Sequence, residues 1–421
     1  MPGHKGIGCG CESHDLTEVS GADSLYEASG IIKESEDNAS KLFGSYTLYS
    51  TEGSSLAIRA MLYLAMLEKN EAGRPTVLAG RNAHKVFLSA AALLDFDVEW
   101  IVGNGGSYLS ANPSAQEVAD KLDAMVKKPI AVYITSPDYL GNTSDIEGIA
   151  KVCHARGVLL LVDNAHGAYL AFTTPSMHPI ALGADMCADS AHKTLPCLTG
   201  AAYLHIADTM SVGVKDRAKS ALALFGSTSP SYLILESLDR ANAYIEDGYK
   251  EKLLDFTERL SCIKKRLKEA GYEIVGNEPM KLTIAPKSYG YTGYELADIL
   301  VGERIVPEFA DPDFLVLMPT PEISECDLKR AENVLITLEK RAEISTDAPV
   351  LSLPARRLTP REAILSAAEK VSVKEAVGRI LADITVGCPP AVPIAVSGEE
   401  IDENTVKVFE YYGIDHCSVI K

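Results

Sequence analysis

Helical and strand-like patterns of apolar residues alternate along residues 45–210. The first predicted helix is SSLAIRAMLYLAMLEKN (54–70). This helix and the predicted helices after it are each followed by a short apolar run of strand length. The strands predicted in this way are PTVL, DVEWIV, PIAVYIT and VLLLVD. The last of these is apolar at successive positions, which is typical of a strand buried on both faces. The alternation predicts an α/β fold whose large, mostly parallel sheet is covered by helices on both sides.

The pattern changes after this region. Residues 215–270 are mainly helical, and residues 272–342 mix shorter strands with helices, as in a small α+β domain. Residues 343–353 have the composition of a linker, and residues 360–382 are predicted to form a helical pair. We therefore expect a major domain at 1–270, including the N-terminal segment 1–44, a small domain at 271–345 and a C-terminal domain at 346–421.

Polar residues follow several of the predicted strands. Asp163 ends VLLLVD, Ser136 and Asp138 follow PIAVYIT, and Lys193 follows the strand at ADMCAD. Ligands of open parallel sheets bind beyond the carboxyl ends of the strands, so these residues are expected at one edge. A surface position is the more common explanation for a lysine. Lys193, however, lies in a connection between two predicted buried strands.

Charge and composition exclude several classes of protein. The chain has 40 basic and 58 acidic residues, a net charge of -18, which argues against nucleic-acid binding. No apolar run reaches the ~20 residues that cross a bilayer, and MPGHKGIGCG lacks the apolar core of a signal peptide. Nine scattered cysteines suit reduced thiols. We expect a cytoplasmic protein that does not bind membranes.

Two motifs near the N-terminus are rejected. The spacing of Cys9, Cys11 and His14 matches no common zinc-finger pattern, so no metal site is predicted. The string GHKGIGCG lacks both the spacing of a phosphate-binding P-loop and a preceding strand.

A lysine and an aspartate at neighbouring strand ends are the pair that a pyridoxal phosphate enzyme needs. The lysine amine reacts with the cofactor aldehyde, and the carboxylate keeps the pyridine nitrogen protonated. Many α/β proteins contain such a pair, so the pattern by itself is weak.

Several stretches together are more specific. They occur in the order MPGHKG, RNAHK, VDNAHGAY, SAHKTLPCLTGAAYLHI and STSPSYLILESLD. In order and spacing they resemble the ornithine/lysine/arginine decarboxylase family, which depends on pyridoxal phosphate and has the aspartate aminotransferase type of fold, known as fold type I. The stretch from TPREAIL to SGEEI resembles the family's C-terminal domain, so the resemblance covers nearly the whole chain.

The resemblance implies roles for individual residues. Lys193 would bind the cofactor covalently, Asp163 would bind its ring nitrogen, and His84 would stack on its ring. Ser190 and His192 match residues beside the phosphate and the reactive lysine, and His192 or Lys193 would return a proton to the substrate. His166 lies in the aspartate motif and is a further cofactor contact. Each residue taken singly has an ordinary structural explanation.

The turn STEGSS resembles the family's phosphate-binding turn, formed here by Thr51, Glu52, Gly53 and Ser54. A helix N-terminus suits a phosphate dianion, but the string could equally be a simple helix start. Glu52 departs from the family, because a carboxylate beside a phosphate is unfavourable unless it points away. Ser227 and Thr228 resemble residues that reach the cofactor phosphate of a neighbouring subunit. A homodimer with shared active sites is therefore expected, and a higher oligomer stays open.

The expected reaction is decarboxylation of a basic amino acid to an amine. The chain begins directly at MPGHKG, without the N-terminal wing domain of acid-inducible relatives, and resembles the shorter biosynthetic arginine decarboxylases. Arginine is therefore favoured, with lysine and ornithine as alternatives. His4, Lys5, Asp138 and Glu399 are the candidate substrate contacts. Aminotransfer, another lyase reaction, or a non-catalytic subunit that binds cofactor remain alternatives.

Overall fold

The structure, a computed structural model, describes residues 2–8, 10–70, 73–103, 107–350, 352–384 and 390–421. The helices are α1 Ile31–Phe43, α2 Gly53–Lys69, α3 Lys85–Leu94, α4 Ala115–Ala124, α5 Ile146–Ala155, α6 Ala191–Thr194, α7 Val212–Phe225, α8 Tyr232–Glu246, α9 Tyr249–Ala270, α10 Gly293–Gly302, α11 Glu325–Thr337, α12 Pro360–Leu365 and α13 Glu403–Tyr411. The strands are β1 Tyr46–Ser50, β2 Thr76–Gly80, β3 Asp97–Ile101, β4 Ala131–Thr135, β5 Leu159–Asp163, β6 Met186–Asp189, β7 Ala202–Ile206, β8 Glu273–Val275, β9 Leu282–Ala285, β10 Phe309–Ala310, β11 Leu315–Leu317, β12 Ala368–Ser372 and β13 His416–Ile420.

The large sheet has the strand order β1-β7-β6-β5-β4-β2-β3. Neighbouring strands are parallel throughout β6-β5-β4-β2-β3. Strand β7 runs antiparallel to both of its neighbours, β1 and β6. Every residue of β5 is buried, because helices cover both faces of the sheet. The prediction of an α/β fold with a mostly parallel sheet is confirmed.

Two apolar clusters cover the opposite faces of this sheet. One packs α2, α3 and α7 onto residues such as Leu161 and Leu204. The other packs α1, α8 and α9 onto residues such as Tyr49 and Tyr203. Because both faces are closed, the space open to a ligand lies at the ends of the strands.

Local sequence signals explain where several helices begin. Ser114 and Glu117 form a capping box at α4, and Thr292 and Glu295 form one at α10. These side chains satisfy backbone N–H groups that have no partner within the helix. At α2 the N-cap residue is Glu52, which makes no such hydrogen bond.

The remaining strands form two small sheets, with the orders β10-β11-β9-β8 and β12-β13. The prediction of a helical pair at 360–382 is wrong. Helix α12 ends at Leu365, and β12 pairs antiparallel with β13 from the end of the chain. A distant strand supplies the partners of the β12 backbone, which local periodicity does not reveal. Within the described ranges, no helix has both the length and the apolar character needed to cross a membrane.

Candidate active site

A cavity of about 250 Å³ opens at the carboxyl ends of β2, β4, β5 and β6. This is slightly below the size usual for small-molecule sites, roughly 300–1,000 Å³. The chain crosses from β3 back to β4 on the other side of β2, so the cavity lies where the strand order reverses. Its lining includes Ser54, Asn82, His84, Thr135, Asp138, Tyr139, Asp163, His166, Lys193, Glu308 and Ala391.

Lys193 lies on the short helix α6, directly after β6. Its Nζ is 2.8 Å from Nε2 of His166, which is itself buried. Burial and the charge of Lys193 hold the pKa of His166 well below its usual range. A protonated Lys193 only donates hydrogen bonds, so Nε2 of a neutral His166 accepts. His166 Nδ1 is buried and has no hydrogen-bond partner among the described residues.

Asp163 ends β5 and is 2% exposed. Its carboxylate accepts hydrogen bonds from the Tyr133 hydroxyl at 3.1 Å and the Ala165 N–H at 3.2 Å. Burial raises the pKa of Asp163, and the positive charge of Lys193 opposes this effect. A carboxylate has about four acceptor positions, so Asp163 can accept a further donor from the cavity.

His84 is the N-cap residue of α3, where its Nδ1 accepts a hydrogen bond from the Val86 N–H at 3.2 Å. Burial, together with the charges of Lys193 and Lys85, lowers the pKa of His84 to about 4. The imidazole is therefore neutral at pH 7. A neutral aromatic ring on a cavity wall is suited to stacking against a flat ligand.

The turn between β1 and α2 lies beside the cavity. Gly53 has a φ of +71°, a conformation that favours glycine, and its N–H donates to the Gly200 carbonyl at 2.7 Å. Ser54 lines the cavity and accepts a hydrogen bond from the Ser190 hydroxyl at 2.8 Å. Thr51 is buried in the same turn. The structure thus brings Ser54 and Ser190 together.

Glu52 is directed away from this helix end. Its Oε1 accepts a hydrogen bond from the Ser227 N–H at 2.5 Å, and it does not cap α2. The positive end of α2 therefore keeps its attraction for an anion. Ser227 and Thr228 are exposed and do not line the cavity of their own chain.

Other predicted site residues lie further out. His192 bonds the Ala201 carbonyl through Nδ1 at 2.9 Å and does not line the cavity. His4 pairs with Asp15 at 3.1 Å, and neither His4 nor Lys5 lines the cavity. Cys9, rejected above as a metal ligand, falls outside the described residues.

Glu399 is not brought to the cavity either. It is 2% exposed, its carboxylate pairs with Arg81 at 2.8 Å, and it also accepts the Val396 N–H. A buried carboxylate requires such partners, and here they hold the C-terminal chain against the sheet. This position does not favour the substrate contact expected for Glu399. The nearby Ala391 does line the cavity, and its carbonyl accepts the Lys85 N–H.

Asp138 lines the cavity, but its carboxylate is occupied. It is 1% exposed and accepts both the backbone N–H and the side-chain amide of Asn142, each at 2.9 Å. Burial raises the pKa of Asp138, and these hydrogen bonds oppose that effect. Its main contribution in this geometry is to fix the loop after β4.

Three residues near the site escaped the sequence analysis. Glu308 is an exposed carboxylate on the cavity wall that accepts a hydrogen bond from the Tyr139 hydroxyl at 3.1 Å. Lys281 is 4% exposed and donates to the Asp138 carbonyl at 2.8 Å; burial lowers its pKa to about 8. Tyr133, on β4, donates a hydrogen bond from its hydroxyl to Asp163. Of these three residues only Lys281 had a signal in the sequence, since it is a lysine beside the apolar run of MKLTIAP.

Comparison with known families gives two matches. The family model described as Orn/Lys/Arg decarboxylase, major domain, matches residues 7–276. The model described as Orn/Lys/Arg decarboxylase, C-terminal domain, matches residues 344–415. Together they cover most of the chain.

Individual relatives agree with these matches. The chain is 31% identical to the uncharacterized protein YaaO of Bacillus subtilis, over 93% of this chain and 84% of the relative. It is 29% identical to an arginine decarboxylase of Bacillus subtilis, over 96% of this chain and 88% of the relative. Among solved structures, the Francisella novicida lysine decarboxylase LdcF has a TM-score of 0.82 at 20% identity, with 100% of this chain and 78% of that chain covered. That likeness shows the fold.

Proposed function

Because this chain belongs to the Orn/Lys/Arg decarboxylase family, it is an amino-acid decarboxylase, and we propose that it converts arginine to the corresponding amine with pyridoxal phosphate as cofactor. One observation carries the proposal: Lys193, Asp163 and His84 line the same cavity at the carboxyl ends of the strands. The three domains at 1–270, 271–345 and 346–421 are part of the same proposal.

The residues present fit this cofactor. Asp163 has acceptor capacity left for a protonated ring nitrogen, and the neutral His84 would stack on the ring. The N-terminus of α2 lacks a side-chain cap, and Ser54 and Ser190 lie beside it. These groups would hold the phosphate, since a helix N-terminus attracts a dianion. Lys193 would bind the aldehyde.

When bound, pyridoxal phosphate supplies an aldehyde that captures the substrate amine and a ring that accepts the electrons left by departing CO2. Asp163, kept in place by Tyr133 and Ala165, would retain the ring proton. Lys193 would return a proton to the substrate α-carbon. His166, at 2.8 Å from Lys193 Nζ, is better placed than His192 to accept or resupply that proton.

Glu308 is the proposed partner of the substrate's distal cation. It lies exposed on the cavity wall, whereas the Asp138 carboxylate already has its partners. A guanidinium can bind one carboxylate through two parallel hydrogen bonds, which favours arginine at such a site. The curated relatives named arginine decarboxylase support this choice.

Lysine is the second candidate, because the solved structures with this fold include lysine decarboxylases. Lysine presents a compact ammonium that needs only one carboxylate oxygen. Ornithine has the same head group on a shorter stem and would reach Glu308 less well.

We further propose a homodimer with shared sites. Ser227 and Thr228 are exposed on their own chain, and an exposed loop can reach the phosphate in a neighbouring subunit. His4 and Lys5, which do not line their own cavity, are proposed to approach the neighbouring one. Such a reciprocal exchange is usual for twofold interfaces.

The test uses purified protein reconstituted with pyridoxal phosphate and offered arginine, lysine and ornithine separately. We expect one equivalent of CO2 per amine formed, fastest with arginine, and no release from Lys193→Ala. Keto-acid formation would instead indicate aminotransfer. A bound cofactor without CO2 from any of the three substrates would refute the proposed reaction.

A further inference from the structure

A fully buried carboxylate lies on the face of the sheet opposite to Asp163. Asp189, at the end of β6, is 0% exposed, and its Oδ2 is 3.0 Å from His178 Nε2 and 3.2 Å from His205 Nε2. Its other oxygen accepts the Asn164 amide at 2.7 Å and the Cys187 thiol at 3.3 Å. Both histidines are buried as completely. A network of this extent in the protein interior requires a reason, because each polar group costs desolvation.

The register of β5 and β6 relates this network to the active site. Asp163 pairs with Ala188 across the two parallel strands. Successive side chains of a strand point to opposite faces, so Asn164 and Asp189 both point away from the face that carries Asp163. Asn164 directly follows Asp163, and its own N–H bonds the Ala188 carbonyl at 3.0 Å.

The same network lies next to the reactive lysine in the sequence. Asp189 immediately precedes Ser190 and stands four residues before Lys193. The segments that carry Asp163 and Lys193 therefore leave the sheet side by side. On the face opposite to Asp163, the hydrogen bond from Asn164 to Asp189 connects these two segments.

Hydrogen bonding identifies the donors to Asp189. The Ile180 N–H donates to His178 Nδ1 at 3.4 Å, so Nε2 is the nitrogen of His178 that donates to Asp189. Burial opposes ionisation of Asp189, but the two histidines hold its pKa well below the usual range. Burial also lowers the pKa of His205. Asp189 is thus ionised within the cluster.

Two imidazoles and a carboxylate could also ligate a metal ion, since their ligand atoms all lie within 4.8 Å of one another. A metal-bound His178 Nε2 would require Nδ1 to donate a hydrogen bond, as metal-bound histidines usually do. The Ile180 N–H already donates to that atom. The hydrogen-bonded network is therefore the better description.

We propose that Asp189, fixed by His178 and His205, is a positioning residue for Asp163: through Asn164 it anchors the end of β5, and its buried charge helps Asp163 keep the group bound there protonated. The inference rests on the proposed function, in which that group is the ring nitrogen of the cofactor. The charge acts because a buried anion is poorly screened by solvent.

The test compares Asp189→Asn with Asp185→Asn in the reconstituted enzyme. Asp185 is a matched control at the other end of β6: it is buried and its carboxylate also accepts from a histidine, His154, at 3.0 Å. The ¹⁵N chemical shift of labelled cofactor reports protonation of the ring nitrogen. We expect Asp189→Asn alone to shift toward the unprotonated form and to lower kcat about tenfold, the equivalent of one pKa unit.

A second variant tests the link without removing the charge. Asn164→Ala should weaken cofactor binding, measured by fluorescence titration, about tenfold while the ring nitrogen stays protonated, in line with loss of a hydrogen bond to a charged group. This variant also decides the positioning role if Asp189→Asn does not fold.

Three results would overturn the inference. They are equal ¹⁵N shifts in Asp189→Asn and Asp185→Asn, unchanged cofactor affinity in Asn164→Ala, and stoichiometric metal that is lost from His178→Gln. Failure of the proposed function is a different result, because the unmodified protein would then show no cofactor band that depends on Lys193, or would bind the cofactor and release no CO2.

Discussion

Replacing Glu308 by glutamine should remove recognition of the substrate's distal cation and leave the chemical step intact. The side chain lies exposed on the cavity wall, and Glu308→Gln keeps its size and its ability to accept from the Tyr139 hydroxyl. The variant loses only the negative charge. The effect therefore measures the charge-assisted part of binding.

The structure sets the magnitude. A hydrogen bond to a charged group contributes about 1.5–3 kcal/mol, which corresponds to a factor of roughly 10–150. Glu308 is exposed before substrate binds, so it loses solvation on binding and the lower half of that range applies. We expect kcat/KM for arginine to fall about 10–30-fold, mainly through KM.

The assay is CO2 release over a range of concentrations of arginine and of citrulline, its neutral analogue. The unmodified enzyme should discriminate strongly against citrulline, and Glu308→Gln should discriminate much less. Glu303→Gln, an exposed glutamate at the end of α10 that does not line the cavity, is the matched control. Unchanged discrimination between the two substrates in Glu308→Gln would refute the reasoning.

Three further predictions concern Glu399, His84 and Gly53. Glu399→Gln leaves Arg81 buried beside a neutral partner and should lower the free energy of unfolding by about 3–5 kcal/mol, measured by urea denaturation. His84 has a folded-state pKa of about 4 against an ordinary value of 6.5, so its contribution to stability is present above pH 6.5 and is lost as the pH falls to 4. His84→Phe should abolish this part of the acid dependence, at most about 3 kcal/mol, in denaturation curves recorded from pH 4 to 7. Gly53→Ala should cost about 1–2 kcal/mol, because a φ of +71° strains any residue with a Cβ, and it should weaken cofactor binding.

Each of these predictions has a matched control. Glu400→Gln breaks a partly exposed pair with Arg357 and should cost less than about 1 kcal/mol; an equal loss at both positions would contradict the burial argument. His416→Phe, at an exposed position of β13, is the control for His84→Phe. At Gly302 an added Cβ would meet no atom within 4 Å, as at Gly53, but the φ is not positive, so Gly302→Ala should be neutral. Equal destabilisation in the two glycine variants would argue against strain.

The large sheet could be read from the sequence because its signals are local. Runs such as VLLLVD are apolar on both faces, and helices with clear starts separate them, so the parallel architecture follows from the pattern. The expectation that Asp138, Asp163 and Lys193 meet depends only on their positions after strands of one parallel sheet.

Local periodicity failed where the partner is distant. The segment after Leu365 forms β12 because β13, from the end of the chain, supplies its hydrogen bonds. Glu399 was expected to contact the substrate, yet its position is set by Arg81, more than 300 residues earlier.

The sequence by itself therefore determined the fold class and the strand ends that carry Lys193 and Asp163. Only the tertiary structure decided which carboxylate remains available at the cavity, because Asn142 occupies Asp138 and the chain just before β10 brings Glu308 to the cavity wall. The tertiary structure also decided that Asp189 lies on the face of the sheet opposite to Asp163. Hydrogen-bond saturation, burial and charge depend on neighbours that are remote in the chain, and these neighbours meet only when it folds.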